Sequence, residues 1–284
     1  MHKVTRWQQI GYQLAFVLVA LFVLIPLWGL AQMAFDKAII GWPLDFRIVP
    51  KEFSLAVFQQ AWDKPAQSRS FLGLLQNSFI ASGGAMVLSV ILGTSMAYAF
   101  ARFRFPGRRQ GLFALLFGTL LPPVALMTPL FILLSAMGVR TTLLGLVIVY
   151  TALAMPFCVW NMRAAFQAVP KELEDAAFLD GASLLRAFWS VTLPLASPSI
   201  GVAALVAFLA GYSEFAMAWL FIDSSDNVTV AMAISGMIGA TGASWNLLAA
   251  LSLLMTIPVV LIFFLFQRYL MNRLLFSESM DGNE

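Results

Sequence analysis

Residues 171–198 read KELEDAAFLDGASLLRAFWSVTLPLASP and lie between two long hydrophobic tracts. They form the only long amphipathic segment in an otherwise apolar chain. Pro170 comes directly before this segment, and the acids Glu172, Glu174 and Asp175 fall in its first turns. Negative charge is stabilised there by the positive end of a helix dipole, and proline suits a first helical position. The pattern therefore predicts a short helix that begins close to residue 171.

A turn and a second short helix are expected after the first one. Gly181 has no β-carbon and permits a sharp reversal, and Ala176 and Ala177 are small enough to let another surface approach closely. The second helix has an apolar face at helical spacing, formed by Leu184, Leu185 and Phe188. We expect residues 170–194, called the amphipathic loop below, to dock against another protein. The alternative is an ordinary solvated helix-turn-helix on the membrane surface.

The composition indicates a membrane protein. Hydrophobic residues make up 61% of the 284 residues and charged residues only 11%, far below the charged share of soluble domains. A helix needs roughly 20 apolar residues to cross a bilayer, and six tracts meet that length. These predicted spans are approximately 10–33, 75–101, 111–136, 143–166, 197–222 and 246–268. The sequence therefore predicts an all-α fold of six transmembrane helices in one domain over 1–284.

The basic residues predict how the chain is oriented. Arg102, Arg104, Arg108 and Arg109 follow the second span, with no acid among them. Basic residues accumulate on the cytoplasmic side of membrane proteins, and this cluster is interpreted as such a signal. Six spans then place both termini and the amphipathic loop in the cytoplasm. A specific site for an anionic lipid is the alternative for the cluster.

Several classes of function find no support in the sequence. His2 and Cys158 are the only histidine and cysteine, which excludes a disulfide within the chain and argues against a zinc site. The net charge of +3 is divided among loops and does not favour nucleic acid. No phosphate-binding loop is present, so any ATP must be hydrolysed by another chain. The uncharged stretch from Trp7 to Phe35 is too long for a cleaved signal peptide and is interpreted as a retained helix.

The amphipathic loop resembles the "EAA" loop of permease subunits in ATP-binding-cassette importers. That pattern is Glu-Ala-Ala, three residues, Gly, nine residues, Ile, one residue, Leu-Pro. Asp175 stands here for the Glu and Val191 for the Ile, and every spacing is kept. The resemblance extends to the carbohydrate branch, and specifically to the smaller six-span subunit of the maltose and oligosaccharide type. The further matching residues are Asn77-Ser78, the run 97–108, Leu121-Pro122-Pro123, Pro129-Leu130-Phe131 and Asp180-Gly181-Ala182.

The resemblance implies a set of partners. A second, homologous permease subunit would pair with this chain in the membrane, two ATPase subunits carrying ATP and Mg²⁺ would dock beneath, and an extracytoplasmic binding protein would deliver sugar. The localisation implied is the cytoplasmic membrane of a bacterium or archaeon. Glu174 and Asp175 would orient the docking helix by pairing with a base on the ATPase. The ATPase-docking residues implied are Glu174, Asp175, Ala176, Ala177, Asp180, Gly181, Leu184, Leu185 and Phe188.

Glu214 is the one ionisable residue expected well inside a span. A mid-membrane acid costs roughly 2.5–3.5 kcal/mol on insertion scales, so it should face protein or a watery cavity. It would either line the sugar pathway with Tyr212, Ser213 and Asn77, or tie span five to a neighbouring helix or to the external loop by a hydrogen bond. Many carbohydrate permeases have Asn at the position of Ser213, which weakens any inference about the sugar.

The loop from Asp223 to Trp245 is expected outside, where it would meet the binding protein. It is rich in Gly, Ser, Thr and Asn and carries no basic residue. A plain flexible connection is the alternative for any one of its residues. The candidate contacts with the binding protein are Asp223, Asp226, Thr241 and Gly242.

The sequence fits three other classes of function less well. An intramembrane enzyme needs paired acids, a nucleophile with its base, or metal ligands within the spans, and one glutamate does not supply these. An ion-coupled carrier usually places several ionisable groups along its path and has no use for an ATPase-docking loop. A permease for a polyol or glycerol phosphate is the closest rival, and a phosphate ester would call for a basic pathway.

Overall fold

The computed structural model describes residues 5–39, 49–63, 65, 69–238 and 244–281, with side chains as far as residue 267. This part of the chain is helical, with short connections. The helices are α1 (Arg6–Phe35), α2 (Ala56–Asp63), α3 (Phe71–Arg102), α4 (Arg108–Leu120), α5 (Pro123–Ala136), α6 (Leu143–Ala168), α7 (Lys171–Leu179), α8 (Leu184–Ala187), α9 (Leu193–Ser213), α10 (Ala216–Phe221), α11 (Val230–Ile238) and α12 (Trp245–Asp281).

Within the described residues, five helical segments are long and apolar enough to cross a membrane. They are Arg6–Phe35, Phe71–Arg102, Leu143–Ala168, Leu184–Ser213 and Trp245–Gln267. The bent pair α4 and α5 makes a sixth crossing when it is counted as one span. The predicted all-α membrane fold is confirmed, whereas the limits of each span and the single domain over 1–284 stay predictions.

The chain packs into two compact units. One comprises Met1–Phe71 and Ile234–Thr256, and the other comprises Leu72–Ala233 and Ile257–Glu284. In the first unit, the buried carboxylate of Asp36 accepts hydrogen bonds from the backbone N–H groups of Ala38, Lys51 and Glu52 at 2.9–3.2 Å. Asp36 therefore anchors the chain that follows α1.

The core of the second unit lies between α3, α6 and α9. Small residues let these helices approach closely, which is how helices associate in membranes. A β-carbon on Gly93 of α3 would lie 2.7 Å from Met162 Cε and 3.2 Å from Cys158 Cβ of α6. Cys158 is fully buried there, as expected of a packing residue, and its thiol lies 3.8 Å from the carbonyl oxygen of Ala203 on α9.

The third predicted span, 111–136, is not one continuous helix. α4 ends at Leu120 and α5 begins at Pro123, with a bend of 106° between them. Proline disfavours helical conformation in the residue before it, and Leu121 and Pro122 are both extended, with ψ of 126° and 132°. The Pro122-Pro123 pair therefore divides this span.

The fifth predicted span, 197–222, also differs from the expectation. α9 begins earlier, at Leu193, and ends at Ser213, while the short α10 follows from Ala216. At the other end, a π-helical turn, Phe188–Thr192, joins α8 to α9 without an intervening loop. The amphipathic loop is thus continuous with a membrane-spanning helix.

Candidate ATPase-docking site

Two short helices and a tight turn make up the amphipathic loop. α7 begins at Lys171, and Pro170 stands one position before the helix rather than in its first turn. Pro170 is extended, with φ of −56° and ψ of 133°, and its carbonyl accepts a hydrogen bond from the Leu173 N–H at 3.4 Å. An extended residue whose carbonyl already accepts a helical bond is the geometry of an N-cap.

Gly181 ends α7 in a left-handed turn. Its φ is 83°, a conformation that residues with a β-carbon adopt only with strain. The Gly181 N–H donates to the Phe178 carbonyl at 3.0 Å, and the Ala182 N–H donates to the Ala177 carbonyl at 2.9 Å. These two bonds form the Schellman motif, which satisfies the last carbonyls of a helix. The turn thus sets the angle between α7 and α8.

Ser183 starts the second helix, a role that was not predicted for it. Its hydroxyl oxygen accepts a hydrogen bond from the Arg186 N–H at 3.3 Å, which caps α8. A serine directly before the apolar pair Leu184-Leu185 is a recognised helix-start signal and could have been used.

Glu174 is buried and does not face outward from the loop. Its carboxylate accepts hydrogen bonds from Arg102 Nε at 2.9 Å and from the Thr192 hydroxyl at 2.6 Å, and the Tyr98 hydroxyl lies at 3.5 Å. The exposed fractions of the Arg102 and Glu174 side chains are 6% and 8%. The structure therefore differs from the expected pairing of Glu174 with a base on an ATPase, because the carboxylate is enclosed by its own chain.

The four arginines that follow the second predicted span do not all have the same role. Besides its ion pair, Arg102 donates from Nη2 to the Val169 carbonyl at 2.9 Å, which ties the end of α3 to the end of α6. Arg108 donates from two nitrogens to the Phe100 carbonyl, at 2.6 and 3.0 Å. Arg104 and Arg109 are exposed. Two of the four arginines thus have structural contacts beyond the topological role that was predicted.

The apolar residues of the loop separate into an inner and an outer set. Phe188 was predicted at the docking surface, but its ring packs inward at 4.7 Å from Tyr98 and 6.2 Å from Phe166. This correction follows from the π-helical turn, in which Phe188 is the first residue. The outer set comprises Leu179, which is 90% exposed, with Leu184, Leu185 and Trp189.

The remaining predicted docking residues surround this outer set. Asp175, Ala176 and Asp180 are exposed, and Ala177 is half-buried. Leu179 and Trp189 were not predicted. Leu179 lies between the alanine pair and Gly181. Trp189 lies one residue beyond Phe188, inside the π-helical turn, so its outward direction could be predicted only with that turn included in the helical projection.

The four candidate pathway residues are not brought together as one site. The carboxylate of Glu214 accepts from the backbone N–H groups of Met217 and Ala218, at 2.8 and 3.2 Å, and so caps the start of α10. The Asn77 amide donates to backbone carbonyls, and Tyr212 is buried beside Phe79 and Phe208. Ser213 is exposed, with its hydroxyl bonded to the Leu209 carbonyl at 2.8 Å.

Of the two roles predicted for Glu214, the structure shows a hydrogen bond to a neighbouring helix, accepted by its backbone carbonyl, and the carboxylate has a further role as a cap of α10. The helix break at residues 214–215 exposes backbone N–H groups inside a membrane segment, and unsatisfied groups there are costly. The glutamate satisfies two of them within its own span. The backbone carbonyl of Glu214 also lies 3.4 Å from the Tyr150 hydroxyl of α6, which links the break to a neighbouring helix.

The segment after α10 is held by polar contacts. Asn77 Nδ2 donates to the carbonyls of Asp226 and Val228, at 2.8 and 2.9 Å. The Asp223 carboxylate pairs with Arg140 at 2.5 Å. Asp223 and Asp226 thus lie on an ordered segment, whereas the other two candidate contacts, Thr241 and Gly242, lie outside the described residues.

Comparison with known proteins places this arrangement in a family. Residues 68–276 match the family described as binding-protein-dependent transport system inner membrane component. The chain is 35% identical over 188 residues to the trehalose transport system permease protein SugB of Mycobacterium tuberculosis, covering 64% of this chain and 67% of that one. It is 30% identical over 261 residues to the trehalose/maltose transport system permease protein MalG of Thermococcus litoralis, covering 91% and 92%.

Among solved structures, the fold is similar to that of a chain in a bacterial ABC transporter involved in the import of the acidic polysaccharide alginate. The TM-score is 0.75 at 20% identity, and the match covers 95% of this chain and 99% of that one. The family match spans most of the residues that form the core and the amphipathic loop. From the family match and these relatives, the chain belongs to the binding-protein-dependent transport system inner membrane components, and it is a permease subunit of an ABC importer.

Proposed function

We propose that this permease forms half of the pathway of a sugar importer, together with a second, homologous permease subunit. Two of its relatives are named for the transport of trehalose or of trehalose and maltose. None of the four candidate pathway residues is basic, so none of them would favour a phosphate ester as substrate. Ser213 is the candidate whose side chain is exposed, and we assign it the contact with substrate hydroxyls.

The amphipathic loop is the proposed site for an ATPase subunit, which would carry the ATP and Mg²⁺. The observation that carries this proposal is the separation of its two faces. Glu174 and Phe188 fix the inner face to the core, while Leu179, Leu185 and Trp189 remain exposed on the other. Exposed aromatic and aliphatic residues beside small ones are typical of a binding surface rather than of a solvated linker.

Transport would follow an alternating-access cycle. Closure of the paired ATPases would press on the amphipathic loop, and the continuous path through α8, the π-helical turn and α9 would pass the movement into the membrane. The sugar-binding protein would act at the opposite face, near Asp223 and Asp226. In this arrangement the chain lies in the cytoplasmic membrane of a bacterium or archaeon, in contact with its lipids, with both termini in the cytoplasm.

Reconstitution tests the proposed activity. The complete complex, purified through a tag on this chain and placed in proteoliposomes with its binding protein, should hydrolyse ATP faster when trehalose or maltose is added. Glycerol 3-phosphate and sorbitol are the comparison solutes. Stimulation by either of those alone, or uptake driven by a proton or sodium gradient without ATP, would contradict the proposal.

Thiol labelling tests which side of the membrane the loop occupies. The only native cysteine, Cys158, is fully buried, so an introduced cysteine should react selectively. Leu179→Cys should react with a membrane-impermeant maleimide only from the cytoplasmic side and should be protected when the ATPase is bound. Ser225→Cys, also at an exposed position, is the control and should react only from outside. Reaction of Leu179→Cys from outside would refute the proposed orientation.

A further inference from the structure

α3 makes polar contacts with a different loop near each of its ends. Near its first turns, Asn77 donates to the carbonyls of Asp226 and Val228, and the Ser78 hydroxyl accepts from the Val230 N–H at 2.9 Å. In its last turn, Arg102 holds Glu174 of the amphipathic loop. Residues 226–230 are called the outer segment below.

The two sets of contacts are far apart on one uninterrupted helix. At 1.5 Å per residue, Asn77 and Arg102 are separated by about 38 Å along α3. This exceeds the roughly 30 Å thickness of the hydrocarbon core of a bilayer. A single helix thus contacts the amphipathic loop at one face of the membrane and the outer segment at the other.

The contact with the amphipathic loop is stiff. Glu174 receives donors from α3 and from Thr192 of the π-helical turn, and both charged side chains are almost fully buried. Separating a buried ion pair is costly, because each charge is then left without compensation in a medium of low dielectric. A movement of α7 therefore displaces the end of α3 more easily than it separates the pair.

Close packing supports α3 along its length. A β-carbon on Gly84 would lie 2.7 Å from Val147 Cγ2 of α6, and one on Gly93 would lie 2.7 Å from Met162 Cε of the same helix. Closely packed interiors have low compressibility and transmit strain. α3 and α6 are therefore expected to move together rather than to bend separately.

We propose that α3 is the strut that transmits movement between the amphipathic loop and the outer segment. The Arg102–Glu174 pair is its joint on one side, and Asn77 is its joint on the other. These are positioning residues, because they act through the loops that they hold. The inference rests on the proposed function, in which an ATPase docks at one loop and a binding protein acts near the other.

The test compares two double variants in the reconstituted complex. Glu174→Gln/Arg102→Met removes the joint without leaving an unpaired charge. Glu172→Gln/Arg104→Met makes the same chemical changes at exposed residues close by. In the joint variant, the ratio of hydrolysis stimulated by the sugar-loaded binding protein to basal ATP hydrolysis should fall about tenfold, within the 5- to 150-fold range typical of coupling between sites. The control should be stimulated like the wild type.

Basal and stimulated ATP hydrolysis are also compared for variants of the other joint, Asn77. The ratio of stimulated to basal hydrolysis should fall in Asn77→Leu, whereas it should stay at the wild-type value in Gln76→Leu, at the exposed neighbouring position. Full stimulation in both joint variants would overturn the proposal, since the contacts would then be structural only.

A milder variant covers the case in which a joint variant fails to assemble. Thr192→Val removes only the 2.6 Å hydrogen bond to Glu174, and Thr192→Ser keeps a hydroxyl there. Stimulation should fall in the valine variant and return in the serine variant; equal stimulation in the two would overturn the proposal. A wild-type complex that sugar-loaded binding protein does not stimulate would refute the proposed function instead, and the two failures are thereby distinguished.

Discussion

The two ends of α3 hold their loops by different chemistry. At the amphipathic loop, a buried carboxylate and a guanidinium meet, so the contact depends on the identity of both side chains. At the outer segment, Asn77 and Ser78 bond to backbone groups of Asp226, Val228 and Val230. A contact with backbone tolerates changes of side chain in the loop. The Arg102–Glu174 pair, called the inner joint, therefore requires one particular side chain in the loop. Asn77, called the outer joint, requires only that the backbone of the outer segment follow a particular path.

The largest expected effect comes from replacing one partner of the Arg102–Glu174 pair. Arg102→Met leaves the Glu174 carboxylate buried without its counter-ion, which should cost about 3–5 kcal/mol. Thermal unfolding of the detergent-solubilised chain would show it. Arg104→Met, at an exposed arginine two residues further on, is the control and should behave like the wild type. Equal melting temperatures for the two variants would mean that the pair contributes nothing to stability.

Breaking the outer joint should have a smaller effect. Asn77→Leu removes two neutral hydrogen bonds and leaves two carbonyls without that donor, a cost of about 1–3 kcal/mol. The loss should appear in the same unfolding experiment and as faster hydrogen exchange in residues 226–230. Faster exchange in the amphipathic loop, with none in the outer segment, would contradict the assignment of Asn77 to that end.

The turn at Gly181 differs from both contacts of α3, because it depends on backbone conformation and not on a hydrogen bond made by a side chain. Gly181→Val forces a branched residue to adopt a φ of 83°, at a cost of about 1–2 kcal/mol, and should uncouple ATP hydrolysis from transport in proteoliposomes while the chain still inserts. No atom lies within 4 Å of an added β-carbon, so strain and not a clash is the cause. Gly181→Asn should retain more coupling, since asparagine tolerates this conformation. Normal coupling in the valine variant would exclude a role for the turn.

The smallest effect is expected at the exposed ion pair near the outer segment. The Arg140 and Asp223 side chains are 27% and 61% exposed, and such pairs contribute about 0.2–1 kcal/mol. Asp223→Asn should therefore shift the melting temperature only slightly, and the shift should disappear at high salt because mobile ions screen exposed charges. A loss as large as that of Arg102→Met would show that exposure does not distinguish the two pairs.

Much of the fold could be predicted from the sequence, because the membrane imposes simple rules. Long apolar tracts gave the crossing helices, and Gly181 indicated the turn after α7. Pro122 and Pro123 fall inside a tract whose apolar composition predicts a single span, although they divide it. Their effect depends on whether neighbouring helices satisfy the broken backbone, which the sequence does not show.

The candidate site was predicted less completely than the fold. Periodicity placed Glu174 on an amphipathic helix, but which face packs inward depends on Arg102, a residue distant in sequence. The inward position of Phe188 depends on the π-helical turn, which no propensity in its sequence indicates. Glu214 was recognised as exceptional, yet its partners are backbone groups of the following helix, and these appear only once the helix is seen to break.

The π-helical turn lies where the amphipathic loop continues into the membrane-spanning helix α9. A π-helical turn holds one more residue than an α-helical turn, and each residue of an α-helix advances the chain by about 100°. Deleting a single residue between Phe188 and Thr192 would therefore convert the turn into an ordinary α-helical one and leave Leu184 and Leu185 facing in nearly the same direction. Deleting a residue from the regular part of α9 would instead rotate them around its axis by about 100°, so the π-helical turn is the place where this connection tolerates the loss of a residue.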